Sequence, residues 1–395
     1  VHINLSTESG DPRMFLHVAQ GLVKAGQRVV VYTACFKPGL FKDLSSNLDI
    51  REIPPNIPLD QTPAPHGVVG KIKERLARER IYTDAASKIG SKLEKDFDVL
   101  VLHNDQSYKI GKAYKQARPS CITVWVMNNA PFRHTRKDNA VVNVLSWAMS
   151  IVERFRVKMY KNGIDIVLVH DKEQQLLGEK VGLYSNILHI PVDFPLFYKS
   201  VRKTRKGKVV LLGVGSLSPA RNFEDILHAA GILNKKGVRT SVYLVCKDFW
   251  NNQEYKKKLL DIAREENLGE RAVFYFDGVS DEVLRELQGK ADFFVFPNKI
   301  KIWGMAAFEA MASGMLLLVS ATTSIAEVLT DGTNAIFFKP SHPDEIAQIV
   351  AKLNGAPDAY ERVASAGQRF VKDTLSWDAY VAKVIALIKE YQPTR

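Results

Sequence analysis

The chain has 395 residues, of which 46% are apolar and 25% are charged, a mixture typical of an ordinary soluble globular protein. No apolar run approaches the roughly 18–20 residues that span a bilayer, and no secretory signal pattern is visible. The formal net charge is +12, and the three cysteines, Cys35, Cys121 and Cys246, have neither paired nor metal-like spacing. We therefore expect buried, reduced thiols and a cytoplasmic protein.

The first half of the chain predicts alternating strands and helices. Helical periodicity marks Pro12–Ala25, and Gly26 is expected to end that helix. A long basic helix is expected to end near Asn162 and Gly163. The predicted strands are Val1–Leu5, Arg28–Thr33, Val99–His103, Ile122–Met127 and Ile166–His170.

The second half repeats this rhythm, which predicts parallel sheets covered on both faces. The predicted strands are Lys208–Val214, Thr240–Cys246, Ala272–Phe276, Phe293–Pro297 and Leu316–Ser320. The predicted helices are Asn222–Lys235, Glu254–Glu266, Asp281–Lys290, Met305–Ala312, Pro343–Leu353 and Asp378–Tyr391.

Two such blocks predict two Rossmann-like domains. We expect a first domain at 1–192 and a linker at 193–207, where prolines are followed by a run dense in Lys and Arg. A second domain is expected at 208–375, followed by a last helical segment at 376–395.

Ligands of doubly wound sheets bind where strands lead into helices, because helix N-termini present free N–H groups to phosphate. One such loop is Ser6–Arg13, with Gly10 in it, and a second is Gly213–Asn222, with Gly215 and Arg221. A third follows Phe276 and contains Gly278.

The fourth loop, Lys301–Gly314, carries the strongest signal. Its glycine turn enters a helix of small residues that contains one carboxylate, Glu309, among apolar neighbours. A buried acidic residue costs free energy unless it binds something, and acidic residues of dinucleotide sites accept ribose hydroxyl groups.

The segment Glu309–Gly314, the strand after it, and the segments Ile325–Val328 and Asp331–Asn334 resemble the C-terminal signature of glycosyltransferase family 4. This resemblance implies an α/β GT-B fold, with two Rossmann-like doubly wound parallel-sheet domains facing a cleft. It implies a retaining, metal-independent hexosyltransferase that takes a UDP- or GDP-sugar as substrate and needs no cofactor. The last helix would cross back to the first domain.

The resemblance also implies site residues. Arg221 stands where the family has a phosphate-binding lysine, and Glu309 is the second glutamate of the family's pair, expected on the ribose. The remaining donor-binding residues would be Gly10, Gly215, Ser216, Gly278, Val279, Trp303, Gly304 and Met305. The catalytic residues would be Arg221, Lys301 and Asn129, with no metal ligand.

Three positions depart from the family pattern. Ser216 replaces an arginine, Lys301 replaces the first glutamate, and Asn128 and Asn129 occupy the place of a histidine. Lys301 is expected to supply the cation that Ser216 lacks, to meet an acidic donor sugar, or to point to solvent while backbone N–H groups bind the donor.

The expected partners are a nucleotide-sugar and a glycan or lipid-linked acceptor, without nucleic acid. The basic segment Lys71–Arg80, with Ile72, Leu76 and Ala77 on one helical side, is the main candidate for peripheral contact with an anionic membrane. A solvated helix face is the alternative. A catalytically inactive GT-B protein that binds nucleotide, glycan or a partner glycosyltransferase is the second hypothesis for the whole chain.

Overall fold

The structure is a computed structural model that describes residues 1–7, 9–59, 67–104, 106–134, 140–201, 207–249 and 251–391, without the side chains of 67–69, 71, 72 and 142. The chain forms two compact units. The first unit comprises Val1–His189 and Trp377–Arg395, and the second comprises Ile190–Ser376. No helix in the described ranges has the length and apolar character needed to cross a membrane.

The first unit is a parallel α/β layer. Its strands are β1 (Asn4–Leu5), β2 (Val30–Thr33), β3 (Cys35–Phe36), β4 (Asp49–Glu52), β5 (Val99–His103), β6 (Ile122–Val126), β7 (Ile166–Val169) and β8 (Ser185–Ile187). Its helices are α1 (Gly10–Lys24), α2 (Lys42–Ser45), α3 (Gly67–Lys92), α4 (Tyr108–Ala117), α5 (Ala140–Tyr160), α6 (Lys172–Glu179) and α14 (Trp377–Glu390).

Strands β5, β6, β7 and β8 pair in parallel in chain order, so that their carboxyl ends lie along one edge. The N-terminal residues lie beside the end of β5, because the His103 N–H donates to the Val1 carbonyl at 2.9 Å. Trp125, Ile3 and Val169 are fully buried in the core of this unit. Helix α14 packs against α1, where Trp377 stacks on His17 with ring centroids 4.4 Å apart.

The second unit contains the longer sheet. Its strands are β9 (Lys208–Ser216), β10 (Arg239–Lys247), β11 (Ala272–Tyr275), β12 (Phe293–Phe296), β13 (Leu316–Ser320) and β14 (Ile336–Phe338). Its helices are α7 (Phe194–Phe197), α8 (Glu224–Lys235), α9 (Gln253–Glu265), α10 (Asp281–Lys290), α11 (Met305–Ala312), α12 (Pro343–Asn354) and α13 (Pro357–Thr374).

The six strands of the second unit are all parallel, in the order β11-β10-β9-β12-β13-β14. This is a doubly wound order: the chain first adds strands on one side of β9 and then, from β12 onward, adds strands on the other side. The reversal falls between β9 and β12, and a crevice is expected at the carboxyl ends of these two strands.

Most predicted elements are confirmed to within two residues, and α10, α11, β5 and β13 have the predicted bounds. The cysteine prediction is wrong in one case, because Cys35 on the short edge pair β1–β3 is only half-buried, whereas Cys121 and Cys246 are buried. The predicted linker at 193–207 begins with α7, whose N-cap is the Asp193 side chain.

Candidate functional site

Two of the predicted loops meet at the reversal point of the second sheet. The loop after β9 contacts the loop after β12 through a hydrogen bond of 3.0 Å from the Lys299 N–H to the Ala220 carbonyl. The Asn222 side-chain amide donates to the Pro297 carbonyl at 3.2 Å, and Asn222 takes the left-handed conformation this requires, with φ at 55°. These contacts bring the Gly213–Asn222 and Lys301–Gly314 loops to one edge of the sheet.

Arg221 is a half-buried cation at this edge, on the short helical turn Pro219–Arg221. Its Nε donates to the Ser216 hydroxyl at 3.3 Å, and within the described ranges no carboxylate pairs with it. Burial lowers the pKa of Arg221 to about 10, so the guanidinium stays charged at neutral pH. A partly buried cation of this kind, beyond the carboxyl end of a parallel strand, can be neutralised by an anionic ligand.

Gly215 makes room for this arginine. A Cβ at position 215 would stand 3.3 Å from both Cδ and Nε of Arg221, a distance that leaves little space for any side chain. The glycine therefore allows Arg221 to lie against the strand end, as expected for a loop that approaches a ligand closely.

Lys247 is a second cation here, and the sequence analysis missed it. It ends β10 and pairs in register with Ser216, the position at which the family's arginine is absent. A Cβ on Gly278 would lie 3.3 Å from the Lys247 Cδ, and Gly278 has φ at 77°, which favours glycine. The predicted donor residues Ser216 and Gly278 thus flank Lys247, with Val279 half-buried beside them.

The loop before α11 is held by side chains within the second unit. Lys301 is half-exposed and its Nζ lies 3.6 Å from a Glu327 carboxylate oxygen. Trp303 is buried, with its indole N–H donating to the Ile190 carbonyl at 3.3 Å and its ring packed on Phe308. The indole therefore anchors the loop, and the donor-binding role predicted for Trp303 stays a prediction.

Gly304 precedes α11 and lies against an aromatic ring. A Cβ at this position would stand 2.3 Å from the Phe296 Cζ, which is closer than real Cβ contacts. The glycine lets the loop pass over Phe296, and the helix then starts at Met305 with its first N–H groups directed at the sheet edge.

Glu309 lies one turn into α11 and its side chain is buried. Helical side chains lean towards the helix N-terminus, so this carboxylate is directed back towards the Gly304 turn. The ribose contact predicted for Glu309 stays a prediction.

A polar cluster occupies the corresponding strand ends of the first unit. His103 ends β5, Asn128 follows β6, His170 follows β7, and Asp11 in the first turn of α1 faces His2 and His103. The His2 Nε2 donates to Asp11 at 3.0 Å, and the His103 Nδ1 lies 3.4 Å from the other carboxylate oxygen. We call these five residues the N-terminal polar cluster.

Asp11 is an accessible member of this cluster, with a side chain 38% exposed, whereas the side chains of His2 and His103 are buried. Burial raises its pKa, but the two histidines outweigh that effect and the pKa is lowered overall. The Asn128 amide also donates to Asp11. Asp11 is therefore a carboxylate held ionised at the surface of the first unit.

The two contacts of the His170 ring together require one more proton than a neutral imidazole carries. Its Nδ1 faces the Leu188 carbonyl at 3.0 Å and its Nε2 faces the Asn128 side-chain oxygen at 2.8 Å, so both contacts are hydrogen bonds only in the imidazolium form. Burial lowers the pKa of His170 to about 4. At neutral pH the neutral ring is favoured, and one of the two contacts lacks its proton.

His2, Asp11 and His103 are the group with metal-ligand character in the described ranges, since their ligand atoms lie within 4.8 Å of one another. However, the Asn4 N–H donates to the His2 Nδ1 at 3.3 Å, which puts the proton of a neutral ring on Nε2. That is the atom a metal would need, so the hydrogen-bonded arrangement competes with metal binding. The prediction of no metal ligand stays a prediction.

The remaining predicted residues are divided between the units. Gly10 is the first residue of α1 in the first unit, whereas the other donor-binding residues lie in the second unit. Asn129, predicted as catalytic, is exposed, and its neighbour Asn128 is the one joined to Asp11 and His170. The signal that could have found the polar cluster is the polar residue at the end of each of three successive strands.

Comparisons with known proteins match this architecture. Residues 197–370 match the family model of glycosyl transferases group 1. HepE of Anabaena, crystallised in complex with UDP and glucose, superposes with a TM-score of 0.71 over 98% of both chains at 14% identity. Sucrose-phosphate synthase of Thermosynechococcus elongatus superposes with a TM-score of 0.72 over 98% of both chains, also at 14% identity.

Two curated relatives share the sequence more closely. Mannosylfructose-phosphate synthase of Agrobacterium fabrum is 25% identical over 187 residues, 47% of this chain and 41% of that protein. D-inositol 3-phosphate glycosyltransferase of Thermomonospora curvata is 23% identical over 257 residues, 63% of this chain and 56% of that protein. The chain thus spans about half the length of these curated relatives.

The strand order and these superpositions define an α/β protein of the GT-B fold. The match to glycosyl transferases group 1 covers most of the second unit, and this part of the chain resembles that family. Both predictions, of the fold and of a resemblance to glycosyltransferases, are confirmed at this level.

Proposed function

We propose that the protein is a retaining, metal-independent glycosyltransferase of family 4 that transfers a hexose from UDP- or GDP-sugar to a hydroxyl acceptor. The observation that carries the proposal is Arg221, a half-buried cation without a carboxylate partner in the described ranges, at the reversal point of a Rossmann-like sheet. HepE, which has the same fold, was crystallised with UDP and with UDP-glucose, which supports a uridine nucleotide as the first donor to test.

The diphosphate would be held by Arg221 and Lys247, with the first N–H groups of α11 completing the site. Positive groups at these places stabilise the charge that develops as the nucleoside diphosphate leaves. Lys247 pairs in register with Ser216, and it replaces the cation that the family carries at position 216. Glu309 would accept the ribose hydroxyl groups, and Gly278 with Val279 would face the base.

The acceptor would bind the first unit at the N-terminal polar cluster. Asp11 is an ionised carboxylate at its surface, and an ionised carboxylate accepts a hydrogen bond from a sugar hydroxyl. We propose a glycan or a lipid-linked acceptor, with the protein in peripheral contact with an anionic membrane. The positively charged chain favours such a surface.

A screen of UDP-, GDP- and ADP-sugars tests the proposal, with binding measured by calorimetry and donor hydrolysis or transfer measured by released nucleotide. We expect binding of at least one donor and turnover with retention at the anomeric carbon, read by nuclear magnetic resonance of the product. Inversion at that carbon, or binding of no nucleotide, refutes it.

A non-catalytic GT-B protein is the second candidate, and one observation favours it. Lys301, at the position of the family's first glutamate, is paired with Glu327. Such a protein would bind nucleotide with ordinary affinity and neither hydrolyse nor transfer any donor in the same screen.

A further inference from the structure

The outer face of α5 carries a continuous stripe of exposed apolar side chains. Its members recur at spacings of three and four residues, which places them on one side of the helix. They are 43–66% exposed: Val141, Val144, Trp147, Ile151, Phe155 and Met159. We call these six residues the α5 stripe. Scattered exposed apolar residues are normal, but a contiguous row along the whole helix marks an interaction surface.

The polar and charged groups of α5 differ between its two faces. Its opposite face buries Ser150, Glu153 and Val157 against the first unit. Glu153 is the one acidic residue between Ala140 and Tyr160, and its carboxylate binds Arg156. The only negative charge of α5 is therefore turned inward, which leaves the outer face without an acidic group.

Cations follow one edge of the α5 stripe. Arg154 and Lys158 are four residues apart, beside Ile151 and Phe155, and Lys158 is exposed. Across the helix, Arg156 binds Glu79 of α3 at 2.8 Å and so fastens α5 to its neighbour. A row of apolar residues with cations along its edge is the pattern of a helix that lies in a membrane interface.

We propose that α5 lies on an anionic lipid membrane, with the α5 stripe at the boundary of headgroups and acyl chains and with Arg154 and Lys158 against lipid phosphates. In this proposal α5 lies flat on the membrane, since no helix in the described ranges is long and apolar enough to cross it. A second copy of the chain is a poorer occupant, since an isologous contact through this face would bring its cations together. The membrane-binding surface is therefore α5 rather than Lys71–Arg80. The proposal depends on the exposure of the α5 stripe and the charge of its edge, and not on the proposed chemistry.

The structure explains why α3 is the weaker candidate. Within Lys71–Arg80, Leu76 is the one large apolar side chain shown to be exposed, and Ala77 is half-buried. The side chains of Lys71 and Ile72 lie outside the described residues. In this proposal α5 provides the apolar surface, and the exposed Lys73 and Arg80 of α3 contribute only positive charge.

Vesicle co-sedimentation of the full chain tests the proposal, with vesicles of phosphatidylcholine alone and of phosphatidylcholine mixed with phosphatidylglycerol, at low and high salt. We expect the wild-type chain to bind the anionic vesicles, more weakly at high salt. The double variant Trp147→Ser, Phe155→Ser should lower the partition coefficient at least about tenfold, because two aromatic anchors are removed. Lys158→Glu should lower binding to the anionic vesicles only.

The matched control is Tyr184→Ser, which removes an aromatic side chain that is 86% exposed on the same unit but outside α5, and it should bind as the wild type does. Circular dichroism and thermal unfolding confirm that the variants fold. Wild-type binding by the double variant overturns the proposal, and so does failure of the wild-type chain to bind anionic vesicles. Light scattering that shows a dimer dissociated by the double variant, without vesicle binding, assigns the α5 stripe to a second copy instead. No nucleotide is present, so these outcomes are separate from donor binding by the second unit.

Discussion

Replacing Arg221 by alanine separates the free energy of ligand binding from that of folding. In the folded protein this guanidinium has one long hydrogen bond, to Ser216, and burial has lowered its pKa by more than two units, to about 10. Each pKa unit corresponds to about 1.4 kcal/mol, so burial disfavours the charged form by roughly 3 kcal/mol. The residue therefore contributes little to stability, and Arg221→Ala should leave the unfolding midpoint in urea nearly unchanged.

Binding should respond in the opposite way. Hydrogen bonds to charged groups contribute about 1.5–3 kcal/mol each, so Arg221→Ala should raise the Kd for UDP or GDP about 10- to 150-fold. Arg221→Lys should have an intermediate effect, because it keeps the charge and loses the planar fork. Calorimetric titration with both nucleoside diphosphates measures these changes.

The control for this prediction is Arg239→Ala. Arg239 is an exposed arginine at the start of β10, at the opposite end of the strand from Lys247, and its removal should change neither Kd. Unchanged affinity of Arg221→Ala for UDP and GDP alike refutes the assignment of the phosphate site. A large loss of stability would show instead that Arg221 is retained for folding.

The other predictions concern the same loops and the polar cluster. Glu309→Gln should weaken binding of UDP but not of 2′,3′-dideoxy-UDP, and equal loss for both ligands would exclude a ribose contact. Lys247→Ala should weaken UDP binding more than Lys301→Ala does. Lys301→Ala should lower turnover more than donor affinity, and normal turnover of this variant with every donor would show that Lys301 has no catalytic role. Gly304→Ala should lower the free energy of unfolding by about 1–3 kcal/mol through its clash with the Phe296 ring, as measured in urea against Gly355→Ala, which meets nothing closer than 3.6 Å. The pKa of His170 is near 4 in the folded protein and 6.5 in the unfolded chain, so the free energy of unfolding should fall by roughly 2–3 kcal/mol as the pH falls from 6.5 to 4. His170→Asn should flatten that part of the curve of stability against pH. An unchanged curve would show that the folded ring is already charged.

Much of the secondary structure follows from the sequence, because helix and strand periodicity are local properties. Short apolar runs such as Phe293–Phe296 and Leu316–Ser320 favour buried strands, and the Gly304–Ala312 segment predicts a turn followed by a helix. Helix α13 was not predicted, although its buried Tyr360, Val363 and Val371 recur at helical spacing. Only the Lys71–Arg80 part of α3 was considered as a helix, because the many charged residues of α3 weaken its periodic signal.

The sequence by itself determined the fold class and the positions of the strand-to-helix loops, since each of these is encoded in short stretches of chain. Only the tertiary structure decided which residues meet. Lys247 pairs in register with Ser216, which lies 31 residues away in the chain, by the alignment 216 to 247. Asp11 lies against His103 because the residues before α1 run beside the end of β5, where His2 forms a bridge to His103. Register and burial of a helix face depend on long-range packing, which local periodicity does not encode. Helix α5 shows this most clearly, because its most apolar side is the exposed one: Glu153 and Val157 pack inward, and the α5 stripe faces solvent.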